Sequence, residues 1–402
     1  MKSFDYIIIG GGPTGLTLAT LYSKKGTVLL LEKYPVLGGC HSVCRNNGLF
    51  SEHSPRIYSN NYVSAISFLK KELNIDWNDY FTKYEFQLVD TLETLKLLEI
   101  KEIILLFFMY LYNLVFKIKK SVSSLNFNEK FMKKIDTICR ITDGVDSSRY
   151  PISQLFELPN QHLFYSLFQP KIDNDIGLFK IWEEKLIERN VTIIKNYSVK
   201  KLNLNNLMVN EYFIGKNIIL ACGLKTVETL TNKKFNLKQL QYNNYFSVSF
   251  HWNTRINLPK INWLKDTTDS LVYVITSNYN NSKGTIISTT LTNPKKNANT
   301  ELAWENLKQI FPDISNYDYK SKSLLDFDAY IVSNLPNKLK DNVFICGCYN
   351  GNSNYPFTSF ESAIQNAINL SGDSELIKNR FTLNKVIIFL ITFFILVYYE
   401  YK

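Results

Sequence analysis

The chain has 402 residues, of which 45% are hydrophobic and 20% charged, a globular balance with room for a large core and more than one lobe. Its net charge of +10 suits an anionic ligand or membrane surface, yet the lysines and arginines are scattered and no nucleic-acid motif occurs, which excludes nucleic acid as a partner. Six cysteines without framework spacing and four dispersed histidines argue against a disulfide scaffold and a metal site, and the lack of a signal peptide points to a reducing compartment.

Phe4 to Ile9 reads as a short buried strand and Thr27 to Leu31 as a second. Between them lie Gly10-Gly11-Gly12-Pro13-Thr14-Gly15 and an apolar run, Leu16 to Tyr22, at helical spacing. Gly10 makes the turn off the strand, Gly12 lets the backbone approach a pyrophosphate, and Gly15 lets the helix pack close on the sheet. Glu32 ends the second strand where a carboxylate accepts from a ribose hydroxyl. This is a dinucleotide-binding βαβ unit, with Pro13, Thr14 and Lys33 completing the expected contacts.

Leu37-Gly38-Gly39 then gives the run ExxxxxGG. It resembles the extended motif of the amine oxidase, phytoene desaturase and protoporphyrinogen oxidase superfamily of flavoproteins. There the second glycine pair lies against the FAD diphosphate, which implies contacts from Gly38 and Gly39. The usual next residue is arginine; here it is Cys40, followed by His41 and Ser42.

Ser51-Glu52-His53-Ser54-Pro55-Arg56 resembles the segment beside the flavin in that superfamily, so His53 and Arg56 are candidates for flavin or substrate contact. The other reading has His53 packed and Arg56 paired to Glu52. The same run is similar to the Gly-Pro-His-x-Phe-His segment of UDP-galactopyranose mutases, with Ser54 for the glycine and Arg56 for the first histidine. Residues 62 to 74 follow as a helix.

Ile103 to Phe116 is apolar apart from Asn113 and closes on Lys117-Ile118-Lys119-Lys120. As a helix it spans about 21 Å, short of the roughly 30 Å hydrocarbon core. It reads as a buried helix of an inserted substrate domain, or as one lying in a membrane interface.

Gly177, the helix Leu178 to Glu188, the strand Val191 to Lys195 and the strand Asn217 to Gly223 resemble the superfamily's second FAD-domain segment. That resemblance implies that the backbone of Val199 meets the adenine. Tyr245 to Trp252, Leu271 to Ser277 and Thr285 to Leu291 alternate as antiparallel strands, with a hairpin at Asn280 to Gly284. His251 on the first of them reads as a satisfied core histidine, and Thr300 to Ile310 as a helix.

Val343 to Cys346 reads as a strand ending at Gly347, and a helix capped by Thr358 or Ser359 begins near Phe360. Glu361 and Ala363 match the superfamily's C-terminal motif, with Ser362 for its glycine. The resemblance implies that Gly347, Phe360, Glu361 and Ala363 border the cofactor, with the helix dipole favouring the reduced flavin. No cysteine context of covalent attachment occurs, so the FAD is expected to be non-covalent.

Val386 to Tyr399 is apolar all round, with Lys378, Arg380 and Lys385 before it. It reads as a tail anchor with the catalytic domain on the cytosolic side.

The expected architecture is α/β: a glutathione-reductase-type FAD-binding Rossmann domain, an inserted α+β substrate domain and a C-terminal transmembrane helix. The FAD domain takes residues 1–85, 151–234 and 331–375, the helical insertion 86–150, the antiparallel-sheet substrate domain 235–330, and the anchor 381–402. The resemblance implies an FAD-dependent oxidoreductase that takes a hydride from a C–N or C–C position. The two apolar segments point to a lipophilic small molecule as substrate, and amine substrates remain open. A mutase-like isomerase and an inert flavin-fold binding protein are the alternatives.

Overall fold

β1 (Lys2–Ile9) leads into α1 (Pro13–Tyr22), which returns to β2 (Val28–Leu31). The last three residues of β1, and every residue of α1 and β2, are buried. Apolar runs without alternation produce this, because a parallel sheet is covered on both faces. α1 begins three residues before the apolar run does, since Pro13 presets the first helical φ and needs no amide partner there. The computed structural model describes residues 1–46, 48–51, 57–84, 94–143, 145–235, 243–258, 270–275, 284–291, 299–329 and 335–390.

Further along come β3 (Leu49–Ser51), α2 (Val63–Leu73), α3 (Ile100–Val115), α4 (Glu129–Asp143), α5 (Leu178–Glu188), β4 (Thr192–Ile194) and β5 (Phe213–Leu220). The chain then runs through β6 (Asn243–Trp252), β7 (Ser270–Val274), β8 (Thr285–Leu291), α6 (Thr300–Ile310), β9 (Ser321–Ala329), β10 (Val343–Ile345) and α7 (Phe360–Ser371).

β1 pairs in parallel with β2 and β5, β2 with β4, and β5 with β10, giving the parallel order β10-β5-β1-β2-β4. The sheet therefore gathers strands from the beginning, middle and end of the chain. Asp5 fastens its lower end: the carboxylate accepts from the Thr27 amide and from Lys216, each at 2.8 Å. Lys216 and then Thr27 hold that carboxyl well below the usual range.

One hydrophobic cluster joins Leu16 and Leu18 of α1, Phe68 of α2, Phe131 and Ile135 of α4, Trp182 of α5 and Ile364 of α7. The helical stretch after residue 94 thus shares its core with the layer over the parallel sheet. Fully burying such a side chain is worth about 1.5–3 kcal/mol. Trp182 also donates to the Thr20 hydroxyl at 3.0 Å, so its indole N–H is satisfied where no water reaches.

The second sheet is antiparallel, in the order β7-β8-β6-β9. Val248, Phe250, Trp252, Val274 and Ile287 pack against Ala303, Leu307 and Ile310 of α6. On the opposite face Ser247, Ser249 and His251 of β6 and Ser288 and Thr290 of β8 are polar and also buried, and Ser247 and Thr290 join across the strands at 3.1 Å. His251 Nε2 meets the Phe50 carbonyl at 3.0 Å, which ties this sheet to β3 and makes the residue a satisfied histidine. The hairpin read at Asn280 to Gly284 lies outside the described residues apart from its last glycine.

α3 is not the buried helix of the first reading. Glu102 and Asn113, its polar residues of the inner face, are buried, whereas Ile103, Ile104, Phe107, Phe108, Tyr112 and Val115 are exposed. At the end of the described chain, residues 383–390 are helical. No helix among the described residues is long and apolar enough to cross a membrane. Residues 391–402 of the expected transmembrane anchor lie outside the described residues.

Candidate functional site

The turn between β1 and α1 is built by steric exclusion. Gly10 sits at φ +114°, where L side chains strain, and a Cβ there would run into the Ala221 carbonyl. A Cβ on Gly15 would fall on the Gly10 carbonyl oxygen, so helix and strand are packed at backbone contact. Gly12 differs: the nearest atom to a Cβ there is the Gly39 Cα at 3.7 Å. That is an ordinary contact distance with nothing nearer, which leaves room over Gly12, as a cradle for a pyrophosphate requires.

Gly38 and Gly39 close the other side. The Gly38 amide donates to the Gly11 carbonyl at 2.8 Å, and a Cβ on Gly39 would approach the Gly12 Cα to 2.9 Å. The two glycine pairs thus lie backbone against backbone. No acidic residue occupies the first turn of α1 and no side chain caps it, so its N-terminal amides and positive dipole end face the cradle. Thr14 turns away from the cradle and donates to the Ala363 carbonyl at 3.2 Å, binding α1 to α7.

Glu32 is buried, and its two oxygens accept from the Gly11 amide at 2.7 Å and the Tyr34 amide at 2.9 Å. Each carboxylate oxygen has a second lone pair, which leaves acceptor capacity for a ribose hydroxyl. Lys33 is exposed, its ammonium over the Tyr34 ring at 4.5 Å, at the outer rim. The Tyr197 amide donates to the Glu32 carbonyl at 2.9 Å, which brings the segment carrying Val199 beside the same edge. Val199 is partly buried against the core on that side. Next to Glu32, burial pushes the Cys222 thiol up to about 12, so it stays neutral.

At the far end, Ser359 caps α7: its hydroxyl accepts the Ser362 amide at 3.1 Å while the Ser362 hydroxyl accepts the Ser359 amide at 2.8 Å. The backbone amides of Phe360 and Glu361 lie outside that box. The Phe360 ring is fully buried, 5.3 Å from the His41 ring and 5.5 Å from Tyr58. Gly347 donates its amide to Asn350 and accepts from Asn366, which fixes the loop after β10. The Glu361 carboxylate turns inward and accepts from the amides of Ser64 and Ala65, so its charge serves α2. Burial raises its pKa, opposed by those amides.

His53 and Arg56 lie outside the described residues. Four contributors were not anticipated. Gly11 supplies the amide that orients Glu32. His41, directly after the glycine pair, contacts the Tyr58 hydroxyl at 3.2 Å, and Asn174 donates to that hydroxyl at 2.9 Å and to the His41 carbonyl at 3.0 Å. Ser42 is buried, and its hydroxyl has no hydrogen-bond partner among the described residues. An orphaned hydroxyl three residues beyond the cradle fits a cofactor that supplies its partner. The room over Gly12, the uncapped helix end, the buried Glu32 and this orphan together fit FAD.

A family model described as FAD dependent oxidoreductase matches residues 5–354. No curated protein sequence matches the chain. Among solved structures it is similar to an oxidoreductase from Methanosarcina mazei, with TM-score 0.69, 14% identity, and coverage of 92% of this chain and 100% of that one. It is also similar to a putrescine oxidase bound to putrescine, with TM-score 0.66, 11% identity, and coverage of 92% and 98%. Cyclohexylamine oxidase from Brevibacterium oxydans has TM-score 0.64, 12% identity, and coverage of 92% and 98%. At these identities the likeness is one of fold.

Proposed function

The chain belongs to the FAD dependent oxidoreductase family, and we propose that it removes a hydride from a C–N or C–C position of a lipophilic small molecule. It is an FAD-dependent oxidoreductase; the amine oxidase type, the bond attacked and the character of the substrate are the proposal. Bound FAD supplies the two-electron acceptor.

The chain's own residues bind and orient. The amides at the start of α1, with Gly12 and Gly39 cleared of side chains, hold the diphosphate. Glu32, fixed by the Gly11 and Tyr34 amides, receives the ribose. The buried Ser42 hydroxyl, without a hydrogen-bond partner among the described residues, is a further candidate contact. No acid or base need be assigned, because the protein's work is to align the bond and keep the site dry. The FAD is held non-covalently in this reading.

The room over Gly12 carries the reading, since it is a glycine that the apo fold itself does not require. The lipophilic substrate rests on the apolar helix surface near residues 100–116, and the tail 381–402 as a cytosol-facing anchor rests on its composition alone. Anaerobic mixing of the FAD-loaded protein with long-chain and short polar amines, followed by the visible flavin band, tests it. Bleaching by the apolar amines is expected. No bleaching by any amine, together with turnover of UDP-galactofuranose after dithionite reduction, would replace it with the mutase-like isomerase.

A further inference from the structure

α3 is built inside out. Its inward face carries the polar residues, and each is satisfied there: Glu102 accepts from the Glu99 amide at 2.8 Å and the Asn128 amide at 2.7 Å, while Asn113 accepts from the Ile118 amide at 2.9 Å. Leu106, Met109 and Tyr110 pack beside them on the core. From Ile103 onward the outward face is apolar, with Phe107 at 56%, Phe108 at 61% and Val115 at 73% exposure, and Lys101 is the exposed charge of its first turn. A water-facing helix has the opposite arrangement.

The helix of residues 383–390 is docked beside it. The Tyr110 hydroxyl donates to Asn384 at 2.6 Å, and the Leu383 amide donates to Asn160 at 2.8 Å. Phe381, Ile388, Phe389 and Leu390 are exposed, which extends the apolar surface from the first helix to the second. A contiguous patch of this kind marks an interaction site.

Charge says what covers it. Lys117, Lys119 and Lys120 follow α3 directly and are exposed, and Lys385 is exposed on the second helix. No acidic residue occurs between Ile103 and Asn128, or between Leu376 and Tyr399. Glu99 at the N-terminal end is the exposed acid of this helix, and it is paired with Lys101 at 2.8 Å. An apolar surface whose unpaired rim charges are lysines complements an anionic bilayer, whose headgroups meet the lysines while the phenylalanines enter the acyl boundary. The first helix, at 16 residues, is about 24 Å long and lies in the interface rather than crossing it. We infer that α3 and residues 383–390 form one platform that seats the enzyme in the surface of an anionic membrane, separately from any anchoring by the residues after 390.

The test uses the full chain, loaded with FAD, in phosphatidylcholine–phosphatidylglycerol vesicles containing a photoactivatable acyl chain. Crosslinks are expected in both 103–116 and 381–390. F393R weakens insertion of the tail; this variant should still float with the vesicles, and adding F107E and F108E should release it with its flavin spectrum intact. In the F393R background, K117A/K119A/K120A should weaken binding roughly a hundredfold, with little change on phosphatidylcholine alone. Crosslinks confined to residues beyond 390, or full release by F393R alone, would overturn the platform. So would a lipid-free dimer that F107E/F108E converts to monomer, since a second copy would then cover the face.

Discussion

The carboxylate of Glu361 accepts the backbone amide of Ala65 at 2.8 Å, across a separation of 296 residues. The Ser64 amide shares it at 3.0 Å, and the N-cap residue of α2, Tyr62, supplies no side-chain acceptor of its own. A helix near the beginning of the chain is therefore capped from the first turn of a helix near the end. Glu361→Gln sets an amide NH₂ against a backbone donor and should cost about 1–3 kcal/mol in denaturant unfolding. FAD affinity should change little. Unchanged stability with weakened FAD binding would instead make Glu361 a cofactor contact.

The parts of the site legible in the sequence were local in the chain. The glycine triad, Pro13 and Glu32 lie within one βαβ unit, so their spacing alone implies the turn, the helix start and the acid. The helix start at Ser359 was also legible, because a capping residue acts within three positions of itself. The role of Glu361 was not, since nothing near it in sequence discloses α2 as its partner. α3 misled for a different reason. An apolar run reads as buried whichever way it faces, and only the inward placement of Glu102 and Asn113 reveals the reversal. A polar residue at each end of such a run, at spacing that shares one face, was the available signal. Ser42 follows the glycine pair closely, but an orphaned hydroxyl is visible only once the fold buries it.

Three glycines of the cradle, Gly10, Gly12 and Gly15, separate folding from binding. Gly12→Ala puts a methyl at an ordinary contact distance, so the apo protein should unfold within about 1 kcal/mol of wild type while FAD binding is lost. Gly15→Ala would push a methyl onto a backbone oxygen, and Gly10→Ala combines such a clash with a positive φ. Both should fail to fold well with or without FAD. Thermal unfolding of apo protein and FAD titration distinguish the two classes. A Gly12→Ala protein that binds FAD like wild type would remove the phosphates from this loop.

Glu32→Gln retains one acceptor oxygen and turns an NH₂ toward either the Gly11 or the Tyr34 amide. Losing a hydrogen bond to a charged group weakens FAD affinity by about 10- to 150-fold. Fluorescence titration of apo protein measures it. Unchanged affinity with a lowered melting temperature would confine Glu32 to organising its own loop.

His251 should make stability depend on pH near neutrality. Burial lowers its pKa from 6.5, opposed by the bond to the Phe50 carbonyl. The folded protein therefore holds this ring neutral to lower pH than the unfolded chain does. As pH falls through 6.5 the unfolded chain takes up the proton first, and stability declines; above that value the contribution is fully present. His251→Gln can still donate to the Phe50 carbonyl, so it should keep most of the stability at pH 8 and lose the slope below 6.5. His251→Phe removes the donor as well and should loosen β6 from β3 at every pH. Because β3 runs directly into the segment carrying His53 and Arg56, that loosening should also raise the KM for substrate. Parallel denaturation curves from pH 5 to 8 decide it: equal slopes in wild type and His251→Gln would show that His251 titrates alike in the folded and unfolded chain.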